Sequence, residues 1–168
     1  ISLKSVEVKA ADTLVVQDVL EEVVDGLKST SQVTLTLPAK GLPPVLFNRD
    51  QFQQLVLNLI LNAQHAAGDR GNITVSAKAL DHRVQVTVED TGCGISPSEL
   101  RTLFQPFRTT KREGLGIGLY ECKQVIEAHR GTIRVLSEFG RGTTVILELP
   151  CIPDDVMPVP EATTTNLS

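Results

Sequence analysis

Four short motifs in a fixed order constrain this 168-residue chain more than its composition does. Asn58-Leu-Ile-Leu-Asn62-Ala comes first. Asp90-Thr-Gly92-Cys-Gly94-Ile follows, then Leu103-Phe104-Gln-Pro-Phe107-Arg-Thr-Thr-Lys111, and finally Gly114-Leu115-Gly116-Ile-Gly118-Leu119. The periodicity around them sets each on a different kind of element. Leu14, Val16, Val19, Leu20, Val23, Val24 and Leu27 recur at helical spacing and predict a helix over 13–28. Val33 to Leu37 alternates like a half-buried strand that Pro38 ends. Gly41-Leu-Pro-Pro reads as a loop. Asp50 can cap a second helix whose inner side is Phe52, Leu55, Leu59, Ile60 and Ala63, and the first motif lies on it.

Two alternating runs, Ile73 to Leu80 and Val84 to Val88, predict a hairpin that ends at the second motif. Ser96-Pro97-Ser98-Glu99 has the pattern of a capping box with proline at the first helical position, opening a short helix to Leu103. Residues 104–115 lack periodicity, as a surface loop does. The last motif leads into a helix from about Leu115 to Ala128, with Gly131 where a C-cap would stand. Thr132 to Leu136 and Thr143 to Leu149 predict a second hairpin around Gly140-Arg-Gly142. This order implies an α/β (α+β) fold: a two-layer sandwich in which one mixed, mostly antiparallel sheet is covered on one face by three helices. Residues 1–150 read as one domain. Residues 151–168, with prolines and a Thr-Thr-Thr run, read as a flexible tail or linker.

Composition narrows the partners. The net charge of −4 carries no basic footprint for nucleic acid. An acidic chain that binds a polyanion needs a metal ion or local basic groups. No run of 18 apolar residues predicts a membrane span, and residues 1–11 lack the apolar stretch of a signal peptide. Cys93, Cys122 and Cys151 fit neither a disulfide framework nor a zinc pattern, so a reducing, cytoplasmic setting is the simplest expectation.

Together the motifs resemble the N, G1, F and G2 boxes of sensor histidine kinases. The ATP-binding domain of those kinases belongs with gyrase, Hsp90 and mismatch-repair ATPases, and its fold is the Bergerat sandwich. The resemblance covers residues 12–150. It implies a catalytic domain that delivers the γ-phosphate of Mg-ATP to a histidine on a separate dimerisation domain, with ADP as product and a response regulator downstream. It also implies a monomeric fragment of a dimeric kinase, with no direct membrane contact, although the full-length protein could be anchored.

Asn58 and Asn62 share a helix face. By resemblance Asn62 is the Mg²⁺ ligand, since Mg²⁺ takes oxygen ligands and keeps waters and phosphate oxygens. Two asparagines decorating an exposed face is the plainer alternative. Asn58 stands where related hydrolases place a water-activating Glu, and an amide is no general base near neutral pH. Asp90 at a strand end is, by resemblance, the adenine reader. Its carboxylate can accept from the exocyclic amine that guanine lacks at that position. Gly92 and Gly94 allow close backbone approach, though Asp-Thr-Gly is also a common turn. Gly114, Gly116 and Gly118, with Leu115 and Leu119, form a glycine-rich lead into a helix. Its exposed N–H groups suit phosphate, and a flexible hinge is the alternative.

Residues 104–115 resemble the ATP lid. Phe104 and Phe107 would anchor its ends, and Thr109, Thr110 and Lys111, beside Arg108 and Arg112, would meet phosphates or a partner. A solvated basic loop is the alternative. Thr143, in the resemblance to the last box Gly140-Arg-Gly142-Thr143, supports the adenine side.

Two departures qualify the resemblance. His65 occupies a position where many relatives carry Lys, Glu or Asp, so no phosphate contact is carried over to it. None of His65, His82 and His129 is followed by an acidic residue, so no phosphoacceptor is identified here. A non-catalytic nucleotide-binding module and a Ser/Thr-directed relative, such as an anti-sigma-factor kinase, stay open at this point.

Overall fold

The computed structural model describes residues 11–27, 32–105 and 115–152, with backbone alone for 115–118. In chain order its elements are β1 (Asp12–Leu14), α1 (Val16–Gly26), β2 (Val33–Thr36), β3 (Val45–Phe47), α2 (Arg49–Ala67), β4 (Ile73–Leu80), β5 (Arg83–Asp90), α3 (Pro97–Arg101), α4 (Leu115–Ala128), β6 (Thr132–Glu138) and β7 (Gly142–Pro150). Five strands form one sheet in the order β2-β4-β5-β7-β6. The β2–β4 pair is parallel and the others are antiparallel. Strand alternation gives the sheet one apolar face, because side chains two residues apart share a side. Ile73, Val75, Val84, Val86, Val88, Leu147 and Leu149 are buried on it, against Leu20, Leu55, Leu59, Ile60 and Ile126 of α1, α2 and α4. The opposite face carries Thr74, Ser76, Thr87, Gln85 and Glu148, residues that hydrate readily. The expected two-layer sandwich is the observed one.

Several boundaries differ from the sequence reading. Residues 12–14 are a strand, not the start of α1. They pair antiparallel with β3, Asp12 opposite Phe47 and Leu14 opposite Val45. Leu14 is buried in either pattern, so its spacing could not separate the two. β3 itself was hidden because three residues between Pro44 and a helix cap carry no measurable period. The cap of α2 is Asn48, whose side chain accepts from the Gln51 N–H at 2.9 Å, and Asp50 instead lies in the first turn. At the end of α4 the left-handed residue is Arg130, φ 67°, rather than Gly131. The Gly131 and Arg130 N–H groups close a Schellman pair on the Ile126 and Glu127 carbonyls.

His129, beside this cap, is buried. Its Nδ1 meets the Val125 carbonyl at 2.8 Å, and its ring stacks on Phe47 at 3.7 Å, tying α4 to β3. At the other end, Cys151 bridges Val45, and Ile152 donates to the Pro44 carbonyl and is buried. These first two residues of the expected tail therefore pack on the domain. Residues 153–168 lie outside the described part.

Candidate functional site

The site grows from the register of three strands. Asp90 of β5 lies directly opposite Thr143 of β7, and Thr143 lies opposite Ser137 of β6. Two register positions further in, Val88, Val145 and Val135 make the next row on the same face. An apolar floor therefore ends in a polar rail. Helix α2 roofs this floor with Leu59, Asn62, Ala63 and Ala66. Gly94 and Ile95 close one side and Leu119 of α4 another, around a cavity of about 90 Å³. That is well below the ~300 Å³ lower end of small-molecule pockets. It suits one flat ring and leaves the rest of a larger ligand outside.

Asp90 is buried at the end of the rail, 7% exposed. Burial pushes its carboxyl up from the ordinary value. The N–H groups of Gly92 and Thr143 oppose that shift, and the Glu89 charge adds to it. The Gly92 N–H donates to Oδ1 at 2.7 Å. A carboxylate offers about four acceptor positions, so capacity remains for a ligand amine at the cavity.

Two glycines make this geometry possible. A Cβ on Gly92 would overlap the Ala66 carbonyl, so only glycine lets the turn after β5 lie against the end of α2. Gly142, at φ +137°, would press a Cβ into the Asp90 carbonyl oxygen.

Residues 47–153 match the family described as histidine kinase-, DNA gyrase B- and HSP90-like ATPases. The chain belongs to this ATPase family. Sensor histidine kinase ZraS of Salmonella typhi is 46% identical over 104 residues, which are 61% of this chain and 22% of that protein. Sporulation kinase E of Bacillus subtilis is 36% identical over 141 residues, 80% of this chain and 19% of that one. The catalytic domain of histidine kinase ThkA superposes with a TM-score of 0.75 at 26% identity, covering 85% of this chain and 97% of that domain. The chain thus spans about a fifth of the length of these curated relatives. Its homologues are sensor histidine kinases, and its build is that of their catalytic domain.

Within this ATPase domain the sequence-identified residues separate into groups. Asn62, Asp90, Gly94, Leu119 and Thr143 meet around the cavity, and Gly92 holds Asp90. Asn58 is half-buried one turn before Asn62 and accepts from the Gln54 amide at 3.2 Å, off the cavity wall. Leu115, Gly116 and Gly118 lie in the first turns of α4. Phe107, Thr109, Thr110, Lys111 and Gly114 lie outside the described residues. Phe104 packs half-buried against the core with the Lys123 ammonium 5.8 Å from its ring centre. His65 is exposed.

The donor set bears on the metal. Among the described residues no cluster of three His, Cys, Asp or Glu could hold an ion. Asn62 presents an amide at the cavity wall that no described hydrogen bond engages. One amide oxygen fits Mg²⁺ that arrives with phosphate oxygens and waters as its other ligands.

Sequence reasoning missed Ser137. Its Oγ accepts from the Ile95 N–H at 2.7 Å, donates toward the Gly142 carbonyl at 3.1 Å, and lies 2.9 Å from Thr143 Oγ1. A serine in a predicted strand is unremarked by motif. The available signal was parity, since Ser137 falls on the inward-facing positions with Val135 and Ile133. Among the described residues no helix is long and apolar enough to cross a membrane.

Proposed function

We propose that the chain is the ATP-binding catalytic domain of a two-component sensor histidine kinase, most like the nitrogen-regulator type. In this reading the cavity takes adenine, and the Asp90 carboxylate accepts from its amine. Thr143 stands beside it, and the phosphates extend past Asn62 toward α4. Mg²⁺ would be held by the Asn62 amide oxygen and the phosphates, and would supply charge neutralisation for transfer of the γ-phosphoryl group. Transfer is to a histidine on a dimerisation domain outside this chain, and from there to a response regulator. The observation that carries the reading is the buried Asp90 at the closed end of an apolar, ring-sized cavity that Asn62 also lines. The nitrogen-regulator assignment is supported by Phe104-Gln-Pro-Phe107-Arg-Thr-Thr-Lys111 and by the terminal Gly140-Arg-Gly142-Thr143.

Asn58 gives the reading its kinetic content. No carboxylate stands one turn before Asn62 to activate water, so bound ATP is protected from hydrolysis. The chain alone should bind Mg-ATP yet turn it over far below ~1 s⁻¹, the low end of ordinary enzyme rates. The test is to mix the chain with γ-labelled Mg-ATP and the phosphoacceptor hairpin of its own full-length protein. Acid-labile, base-stable label on the hairpin supports the reading. Acid-stable label indicates a Ser/Thr-directed kinase. Binding without transfer indicates a regulatory module.

A further inference from the structure

Ser137 does not line the cavity, yet it meets three groups that do or that shape it. Hydrogen counting makes this consequential. The hydroxyl has one hydrogen and two lone pairs. The Ile95 N–H takes one lone pair at 2.7 Å, which also fixes the loop that carries Gly94 and Ile95 against the sheet. The single hydrogen then has two acceptors in reach, the Gly142 carbonyl at 3.1 Å and Thr143 Oγ1 at 2.9 Å. If it goes to Gly142, Thr143 must give its own hydrogen back to Ser137 and can show the cavity only lone pairs. If it goes to Thr143, the Thr143 hydrogen is released to point into the cavity.

The two states suit opposite hydrogen-bonding partners at the same position on a base. Beside its amine, adenine carries a ring nitrogen that only accepts. Asp90 accepts, so the neighbouring group has to donate if both positions on the base are to be satisfied. A buried polar group left unmatched costs more than a matched one gains, and such mismatches are how hydrogen-bonding sites reject near-isosteres. We infer that Ser137 is a positioning residue for base specificity: it hands its hydrogen to Thr143 Oγ1, so that Thr143 donates to the ring nitrogen beside the amine, or to a water bound there. The inference rests on the adenine-nucleotide reading of the cavity. It adds that the donor next to Asp90 is set from β6, one strand away from the base.

Equilibrium binding with Mg²⁺ tests this using ATP, its 1-deaza analogue, which lacks that ring nitrogen, and purine riboside triphosphate, which lacks the amine. The unaltered chain should hold ATP about tenfold more tightly than the 1-deaza analogue, the worth of one net hydrogen bond. In Ser137→Ala that ratio should fall several-fold, because the Thr143 hydroxyl loses the donor that holds its own hydrogen toward the base, while the preference for ATP over purine riboside triphosphate persists. Ser137→Thr should restore it. Ser137→Cys keeps the shape and donates only weakly. It should lower the ratio even if Ser137→Ala does not fold. If Ser137→Ala, or Ser137→Cys in its place, weakens all three nucleotides equally with the 1-deaza ratio intact, the inference is overturned and Ser137 is a strut for the Ile95 loop. If the unaltered chain binds ATP and purine riboside triphosphate alike, the Asp90 reading itself fails. That result concerns the amine alone and is distinguishable from the first.

Discussion

The two ends of the cavity are built in different ways. The end with Asp90, Thr143 and Ser137 is carried by three hydrogen-bonded strands. Its polar atoms largely satisfy one another, through Gly92 to Asp90, Ile95 to Ser137 and the pairing of the Ser137 and Thr143 hydroxyls. The end with Asn62 is carried by a single helix, and Asn58 lies one turn before it, off the wall. There Asn58 accepts from the Gln54 amide, and among the described residues no side-chain hydrogen bond engages Asn62. A preformed rail discriminates, because a wrong base leaves buried partners unmatched. An open amide suits a cation whose other ligands are waters and phosphate oxygens that arrive with it. Substitutions at the sheet end should therefore change stability and base choice together, and substitutions at the helix end should change metal response with little effect on the fold.

The largest effect is expected at Gly142. Its φ of +137° and the proximity of the Asp90 carbonyl leave no place for a Cβ. Gly142→Ala should destabilise the domain by about 3 kcal/mol, combining backbone strain with displacement of the β5–β7 register. Chemical denaturation measures this. An unchanged midpoint would mean that the sheet end is softer than its hydrogen bonding implies.

Asp90→Asn comes next. It exchanges a charged acceptor for an amide that can turn its donor toward the base amine, and should weaken ATP binding by about 1–3 kcal/mol. The same residue sets a pH dependence. Burial raises the Asp90 carboxyl above its ordinary value of 3.8, so the folded chain holds that proton more tightly than the unfolded chain. Asp90 therefore opposes folding above its raised value, and that penalty fades as the pH falls toward the ordinary value. Nucleotide affinity runs the other way, because the ionised form is the acceptor, and drops as the pH falls through the raised value. Both trends should vanish in Asp90→Asn, as followed by calorimetry and thermal melts across acidic pH. A wild-type pH profile retained in the variant would place the titrating group elsewhere.

Asn62→Ala sharpens the contrast from the helix end. Melting should move little, since the residue is half-buried and makes no described hydrogen bond, while the gain in ATP affinity from added Mg²⁺ should shrink about tenfold. A full metal response would assign the metal to other oxygens. The smallest effect concerns Cys93, an exposed thiol in the turn between Gly92 and Gly94. Saturating nucleotide should slow its alkylation by a fewfold. An equal rate with and without nucleotide would place the ligand away from this turn.

Much of the sheet end was legible in the sequence because its constraints are local. Glycine at 92 and 94, aspartate at a strand end and the alternation of β4 and β5 each leave a residue-level mark. Asn62 and Leu119 were legible from motif spacing. Three features were not. β1 and β3 are too short to show a period, and Leu14 satisfies a helix and a strand equally. Arg130 adopts the left-handed cap that composition assigns to its glycine neighbour, because the Schellman bonds to Ile126 and Glu127 fix the turn there. Ser137 carries no motif, and its role depends on a row of partners 42 residues upstream at Ile95 and 6 downstream at Thr143. Such a row exists only once the register is set. Of the expected lid, residues 104–115, residues 106–114 lie outside the described part.

The central claim is that the Asp90 end of the cavity reads adenine. Competition between ATP and GTP for the unaltered chain, with Mg²⁺ present and the triphosphate held constant, tests it most directly. The account predicts that ATP wins by about a hundredfold, because guanine sets an acceptor oxygen against the Asp90 carboxylate and leaves the rail mismatched. Equal affinity for the two nucleotides would contradict it, since the phosphates alone would then hold the ligand and the buried carboxylate would have no part in recognition.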